Sequence, residues 1–138
     1  MPDKEAAKNA ARLRFETQIE TPQKLVTQYD NQPLPEDKRR SSEIWSRVQV
    51  RFNGTARVDT GATLGRYRTQ GELIARLFAP VDKGDGDLMA LADVIENAFT
   101  SVDDTGVRFR APSTEQVGRV GSEWQVNVVC PFWFDDLR

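Results

Sequence analysis

Arginines and carboxylates carry almost all the chemistry open to this 138-residue chain, which has no histidine and a single cysteine. Without histidine it lacks the side chain that most often serves as a general base or metal ligand near neutral pH. Cys130 has no second thiol to bridge and no imidazole to activate it, so a Cys–His nucleophile is impossible and a zinc site lacks ligands. Its place in an alternating apolar run predicts a buried thiol, which fits a reducing compartment. No GxxxxGK[ST] loop and no GxGxxG after a strand is present to cradle phosphate. No catalytic residue, resident metal or cofactor is therefore assigned, and the chain is not read as an enzyme. The one group that could hold a cation is Asp82-x-x-Asp85-x-Asp87, with Asp103 and Asp104 as further oxygen donors. It lacks the length and terminal glutamate of an EF-hand loop, and a turn followed by a helix cap explains the same residues more simply. A metal-dependent enzyme built on Asp82–Asp87 is the least favoured alternative.

The arginines are more informative. Arg47 and Arg51 share the polar parity of one alternating run, and Arg66, Arg68 and Arg76 share that of the next. If the two strands pair, all five gather on one side of a sheet. Such a face is either simply solvated or makes forked contacts to carboxylates or phosphates. The partners would be an acidic edge of an adjacent subunit, such as Asp82, Asp85 and Asp87, or DNA. A net charge of −2 gains little from general attraction to DNA, which favours the subunit contact.

The elements that must position these residues follow from periodicity. Tyr67–Leu77 alternates as a half-buried strand, Pro80 ends it, and the Asp-Gly turn starts a helix at Asp87–Thr100. Leu88, Leu91, Ala92, Ile95 and Phe99 form its apolar stripe, which should lie on the odd face of that strand. Trp45–Phe52 and Glu123–Phe134 alternate as well, and Val107–Arg110 and Lys24–Tyr29 are short strand candidates. Ala111–Val120 reads as irregular. Asp3–Gln18 is a helix with a thin apolar face, expected at an edge of the domain. The charge run at 36–40 reads as solvated loop. Asn53–Gly65 is long for a hairpin connection, and long loops in compact domains are often functional or disordered until bound.

The length suits one domain, taken as an arm at 1–44 and a core at 45–138. The expected fold is α+β: a mainly antiparallel sheet of four to five strands, one amphipathic helix on a face and the N-terminal helix at the margin. No apolar run approaches a membrane span and no signal-peptide h-region appears, so the expectation is a soluble, unprocessed chain.

Gly65-Arg66-Tyr67-Arg68, Leu77-Phe78-Ala79-Pro80, and Leu91-Ala92-Asp93-Val94-Ile95 with Phe99, followed by the late strand GSEWQVNVVCPFWFDD, resemble the signature of tail-terminator (tail-completion) proteins of tailed bacteriophages. The resemblance runs from about Trp45 to the end. It implies a virion structural protein of the tail or neck, assembled in the host cytoplasm as a homo-oligomeric ring, typically a hexamer. Such a ring caps the tail tube, stops its polymerisation and joins it to the head-side connector. The implied partners are the tail tube protein and a head-tail connector or neck protein. DNA would pass through the lumen without sequence-specific binding, and no membrane is involved. Subunit contacts are expected at Arg47, Arg51, Arg66, Arg68, Arg76, Asp82, Asp85 and Asp87, and the resemblance implies that Thr55, Arg57, Asp59, Thr60 and Thr63 of the long loop touch the tail tube or a neighbouring subunit. A connector or neck ring subunit is the runner-up.

Overall fold

The structure is a computed structural model and describes residues 3–30, 44–59, 65–83 and 85–137. In chain order the elements are helix α1 (Lys4–Phe15), a wide π turn (Glu16–Glu20), α2 (Thr21–Gln23), strands β1 (Val26–Tyr29), β2 (Trp45–Arg57) and β3 (Arg66–Pro80), helix α3 (Gly86–Phe99), then β4 (Asp103–Asp104), β5 (Val107–Phe109), β6 (Ser113–Val120) and β7 (Glu123–Leu137). The three longest alternating runs make the centre of the sheet. β3 pairs antiparallel with β2 on one side and β7 on the other, with Ala75 opposite both Val48 and Val128.

One face of this centre is apolar. Val48 and Val50, Leu73, Ala75, Leu77 and Ala79, and Val126, Val128, Cys130, Phe132 and Phe134 are all buried on it. The α3 stripe of Leu88, Leu91, Ala92, Ile95 and Phe99 joins the same core. Removal of this much apolar surface from water is the main force holding the two layers together. Gly71 lets the layers and strands approach closely, since a Cβ there would stand 2.6 Å from the Arg51 carbonyl oxygen and 2.7 Å from the Phe132 ring.

The sheet differs from the expected four to five antiparallel strands. Among the described residues it has seven and is mixed, in the order β1-β2-β3-β7-β5-β4, with β6 also on β7. β1 runs parallel to β2, Val26 opposite Trp45. β6 replaces the irregular segment expected between Ala111 and Val120. Most of its side chains are exposed on both faces, so no apolar alternation marked it. The two-residue β4 pairs antiparallel with β5, Asp103 opposite Arg108.

The N-terminal helix is part of the core and not at its margin. Ala7, Ala11, Phe15 and Ile19 are fully buried and pack with Leu25, Val48 and the α3 stripe. Small alanines give a weak hydropathy signal, yet they let a helix backbone come close to its neighbours. The helical path also continues beyond Gln18 through Pro22. The π turn, in which the Thr21 amide returns to the Glu16 carbonyl, precedes that proline, and Lys24 ends the path at a left-handed φ of 52°.

Candidate interaction faces

Opposite the helices, the second face of the sheet collects the arginines. Antiparallel register alternates side chains strictly, so Arg47 and Arg51 on β2 stand on the same face as Arg66, Arg68 and Arg76 on β3. All five expected arginines are brought to one side. Each is also engaged within the chain. Arg51 Nη2 donates to Glu72 Oε1 at 2.8 Å, and Arg76 Nη1 to Gln49 Oε1 at 3.1 Å. Arg47 Nε donates to Gln28 Oε1 at 3.2 Å, and its guanidinium lies 5.5 Å from the Trp45 ring, which stacks on Phe78 at 4.4 Å.

The most ordered group sits where β3 and β7 end together. Asp135 is opposite Arg68 in register. Its Oδ1 accepts from Arg68 Nε at 2.8 Å, and its Oδ2 from Arg66 Nε at 2.8 Å and Arg68 Nη2 at 3.1 Å. The Asp135 side chain is 5% exposed, against 47% for Arg66 and 28% for Arg68. The Arg68 hydrogen bond above all, then the charges of both guanidiniums, hold the Asp135 carboxyl below its ordinary range against the opposing effect of burial. The same contact pushes Arg68 up. Two cations on one anion leave this group with a net positive charge. Trp133 completes it: the Arg68 guanidinium lies 3.7 Å from its ring centre and that of Arg108 4.9 Å. Asp135 and Trp133 were absent from the expected contact residues. Setting Gly65-Arg-Tyr-Arg antiparallel to Phe134-Asp-Asp-Leu would have exposed the Asp135 pairing.

The three aspartates lie elsewhere. Asp82 is exposed in the short 3-10 turn Val81–Lys83, and Asp85 and Asp87 open α3 on the helix side. Asp85 occupies the N-cap position, but its side chain makes no capping hydrogen bond; its Oδ2 is 3.5 Å from Gln116 Nε2. The expected side-chain cap is thus not formed there. Among the described residues, no three acidic, cysteine or histidine side chains come together as a cation site. Asp87, with Gln23 and Lys24, instead lines an open groove of about 470 Å³ between α3 and the start of β1, whose apolar part is Leu25, Ile44, Ala90, Leu91 and Val94. The stretch from Val81 to Thr100 carries Asp82, Asp85, Asp87, Asp93 and Glu96 against one lysine, so α3 and the turn before it are acidic, whereas α1 on the same side carries Lys4, Lys8, Arg12 and Arg14.

Of the expected loop contacts, Thr55 and Arg57 belong to β2, which continues past a bulge between Phe52 and Gly54. Thr55 and Thr69 share a hydroxyl hydrogen bond of 2.9 Å, and Asp59 Oδ1 accepts from the Arg66 amide at 2.8 Å and from Arg57 Nε at 3.3 Å. Thr60 and Thr63 lie outside the described residues. Two titratable groups are withdrawn from surface chemistry. Burial, with a smaller effect of the Glu96 charge, pushes the Cys130 thiol up. Burial, with a hydrogen bond to Glu20, does the same for the Tyr29 hydroxyl.

No protein-family profile and no curated protein matches the chain. Seven solved chains share its fold. One of them aligns over 94% of this chain and 95% of its own length with a TM-score of 0.63 and 16% identity, a likeness of fold alone.

Proposed function

We propose that the protein is a tail-terminator subunit of a tailed bacteriophage, assembling head to tail into a ring on the end of the tail tube. The observation that carries the reading is the separation of charge across the sheet. The arginine face and the acidic start of α3 lie on opposite sides of one molecule, so they complement each other only between copies. A closed ring requires two such different, complementary surfaces on each subunit. The motifs from Gly65 to Phe99 and the strand ending in Phe134 supply the resemblance to the phage family. The work of the ring is steric: it occupies the growing end and presents a new surface to the head-side connector.

The direct test adds the purified chain to polymerising tail tube protein of the same phage and follows tube length by electron microscopy. Tubes that stop growing and carry a terminal ring are expected. Tubes that elongate as without it would contradict the reading, and binding to the connector protein alone would favour the neck-subunit alternative.

A further inference from the structure

The five arginines of the sheet face do not stand alike. Arg51 has Glu72 as its counter-ion, and Arg66 and Arg68 share Asp135. Arg47 and Arg76 have no such partner: among the described residues their hydrogen bonds go only to neutral amides, from Arg47 to Gln28 and from Arg76 to Gln49. Register sharpens the difference, because it sets Arg47 directly opposite Arg76, and like charges opposed across two strands repel. Their neighbours in the same row are again amides, Gln28 on β1 and Asn127 on β7. Glu115, beyond Asn127, stands two strands from Arg76, roughly 10 Å at about 4.8 Å per strand. Glu123 accepts from the Trp45 indole instead, at 2.7 Å. The Arg47 guanidinium is steadied over Trp45 and Phe78, 5.5 and 6.0 Å from their ring centres. Arg47 is exposed and Arg76 half-buried. Together they form a fixed double positive charge that no carboxylate among the described residues contacts.

The turn after β3 has the converse character. Asp82 is exposed, and the Asp85 side chain has only Gln116 Nε2, at 3.5 Å; neither makes an ion pair among the described residues. Residues 81–87 hold three aspartates against Lys83. The other basic side chains of the helix side are placed elsewhere. Lys4 and Arg12 lie over Phe52 and Tyr29, Lys8 pairs with Asp30, Arg14 donates to the Ala98 carbonyl at the far end of α3, and Lys24 shares its groove with Asp87. Both features stand at the same end of β3. Arg76 precedes Pro80 by four residues, about 13 Å at about 3.3 Å per residue, and Asp82 follows it by two. They face opposite ways, however: the Val81 carbonyl accepts from Trp124 Nε1, and Asp85 meets Gln116, both on the helix side. Copies stacked face to back, with their strands level, bring them together. We infer that the Arg47–Arg76 pair seats the Asp82–Asp85 turn of a second copy. The contact is heterologous, because each copy keeps its own turn free for the next. It rests on the ring reading for its closure, and it separates the arginines that reading uses from those already matched within the chain.

The test mixes two variants of the full-length chain. One carries Arg47→Glu and Arg76→Glu, the other Asp82→Lys and Asp85→Lys. In sedimentation at low ionic strength the parent should self-associate, and each variant alone should do so about tenfold or more weakly, because like charges then meet at every junction. Mixed in equal amounts they should recover the parent's association, since every junction between unlike copies joins opposite charges. A role confined to the fold cannot produce that recovery. A parent that stays monomeric, variants that associate as the parent does, or a mixture of folded variants no better than its components overturns the inference. Arg47→Gln supplies a milder change. It relieves the repulsion with Arg76, so the melting temperature should hold or rise while association weakens about threefold or more; a fall in melting temperature would mean that the pair serves the fold and would also overturn the inference. If rings cap tubes while none of these changes affects association, this contact fails and the ring reading stands. If the mixture recovers association but tubes are not capped, the reverse holds.

Discussion

Asp135 is the residue on which the arginine face most depends. It is nearly buried, and it holds Arg66 and Arg68 in fixed directions beside Trp133. Asp135→Asn removes the charge while keeping the shape, and should cost about 2 kcal/mol in urea unfolding, the scale of hydrogen bonds to charged groups. Its acid dependence has a definite sign. The folded carboxyl titrates below the unfolded one, so its contribution is fully present above the unfolded value of about 3.9 and is lost as pH falls through the folded value. Unfolding midpoints should therefore drop from about pH 4 downward in the parent chain, and this part of the drop should be missing from Asp135→Asn. An unchanged slope would mean that the pair adds nothing to stability. The pairing was partly open to inspection of the sequence, since Asp135 shares parity with Trp133. It was missed because strand register depends on partners more than 60 residues away.

At the scale of elements, what could be read was whatever had one wet and one dry face. Tyr67–Leu77, Glu123–Phe134 and the α3 stripe alternate because only one side of each is buried, and each forms close to its expected bounds. β6 escaped because water reaches both its faces, whereas the short strand expected at Lys24–Tyr29 forms as β1 and only its parallel pairing with the distant Trp45–Val48 was not legible. The misjudged α1 gives a sharp test. Phe15 is fully buried and meets Tyr29 edge to face, so Phe15→Ala should destabilise the chain by about 3–5 kcal/mol, whereas truncating exposed Leu13 should change it by about 0.5 kcal/mol or less. Equal effects would return α1 to the margin. Gly71→Ala should cost about 1–3 kcal/mol, because the new methyl meets the Arg51 carbonyl and the Phe132 ring and neither can move freely in the centre of the sheet. A neutral result in thermal melting would show that the strands can part there.

For the whole molecule, the significant feature is its two-sidedness: the acidic start of α3 lies on the helix side of a single sheet, and the five arginines with Trp133 lie on the other. The sequence carried this in the parity of Arg47, Arg51, Arg66, Arg68 and Arg76, but not in the aspartates, whose distance from the arginines depends on where the turn after Pro80 leads the chain. The proposed tail-terminator role is tested most directly by electron microscopy of particles from a phage whose copy of this gene carries an early stop codon. Overlong, headless tails are the predicted result, since tube growth would lack its terminator. Tails of normal length beside filled heads would move the protein to the connector, and intact infectious particles would contradict the account altogether.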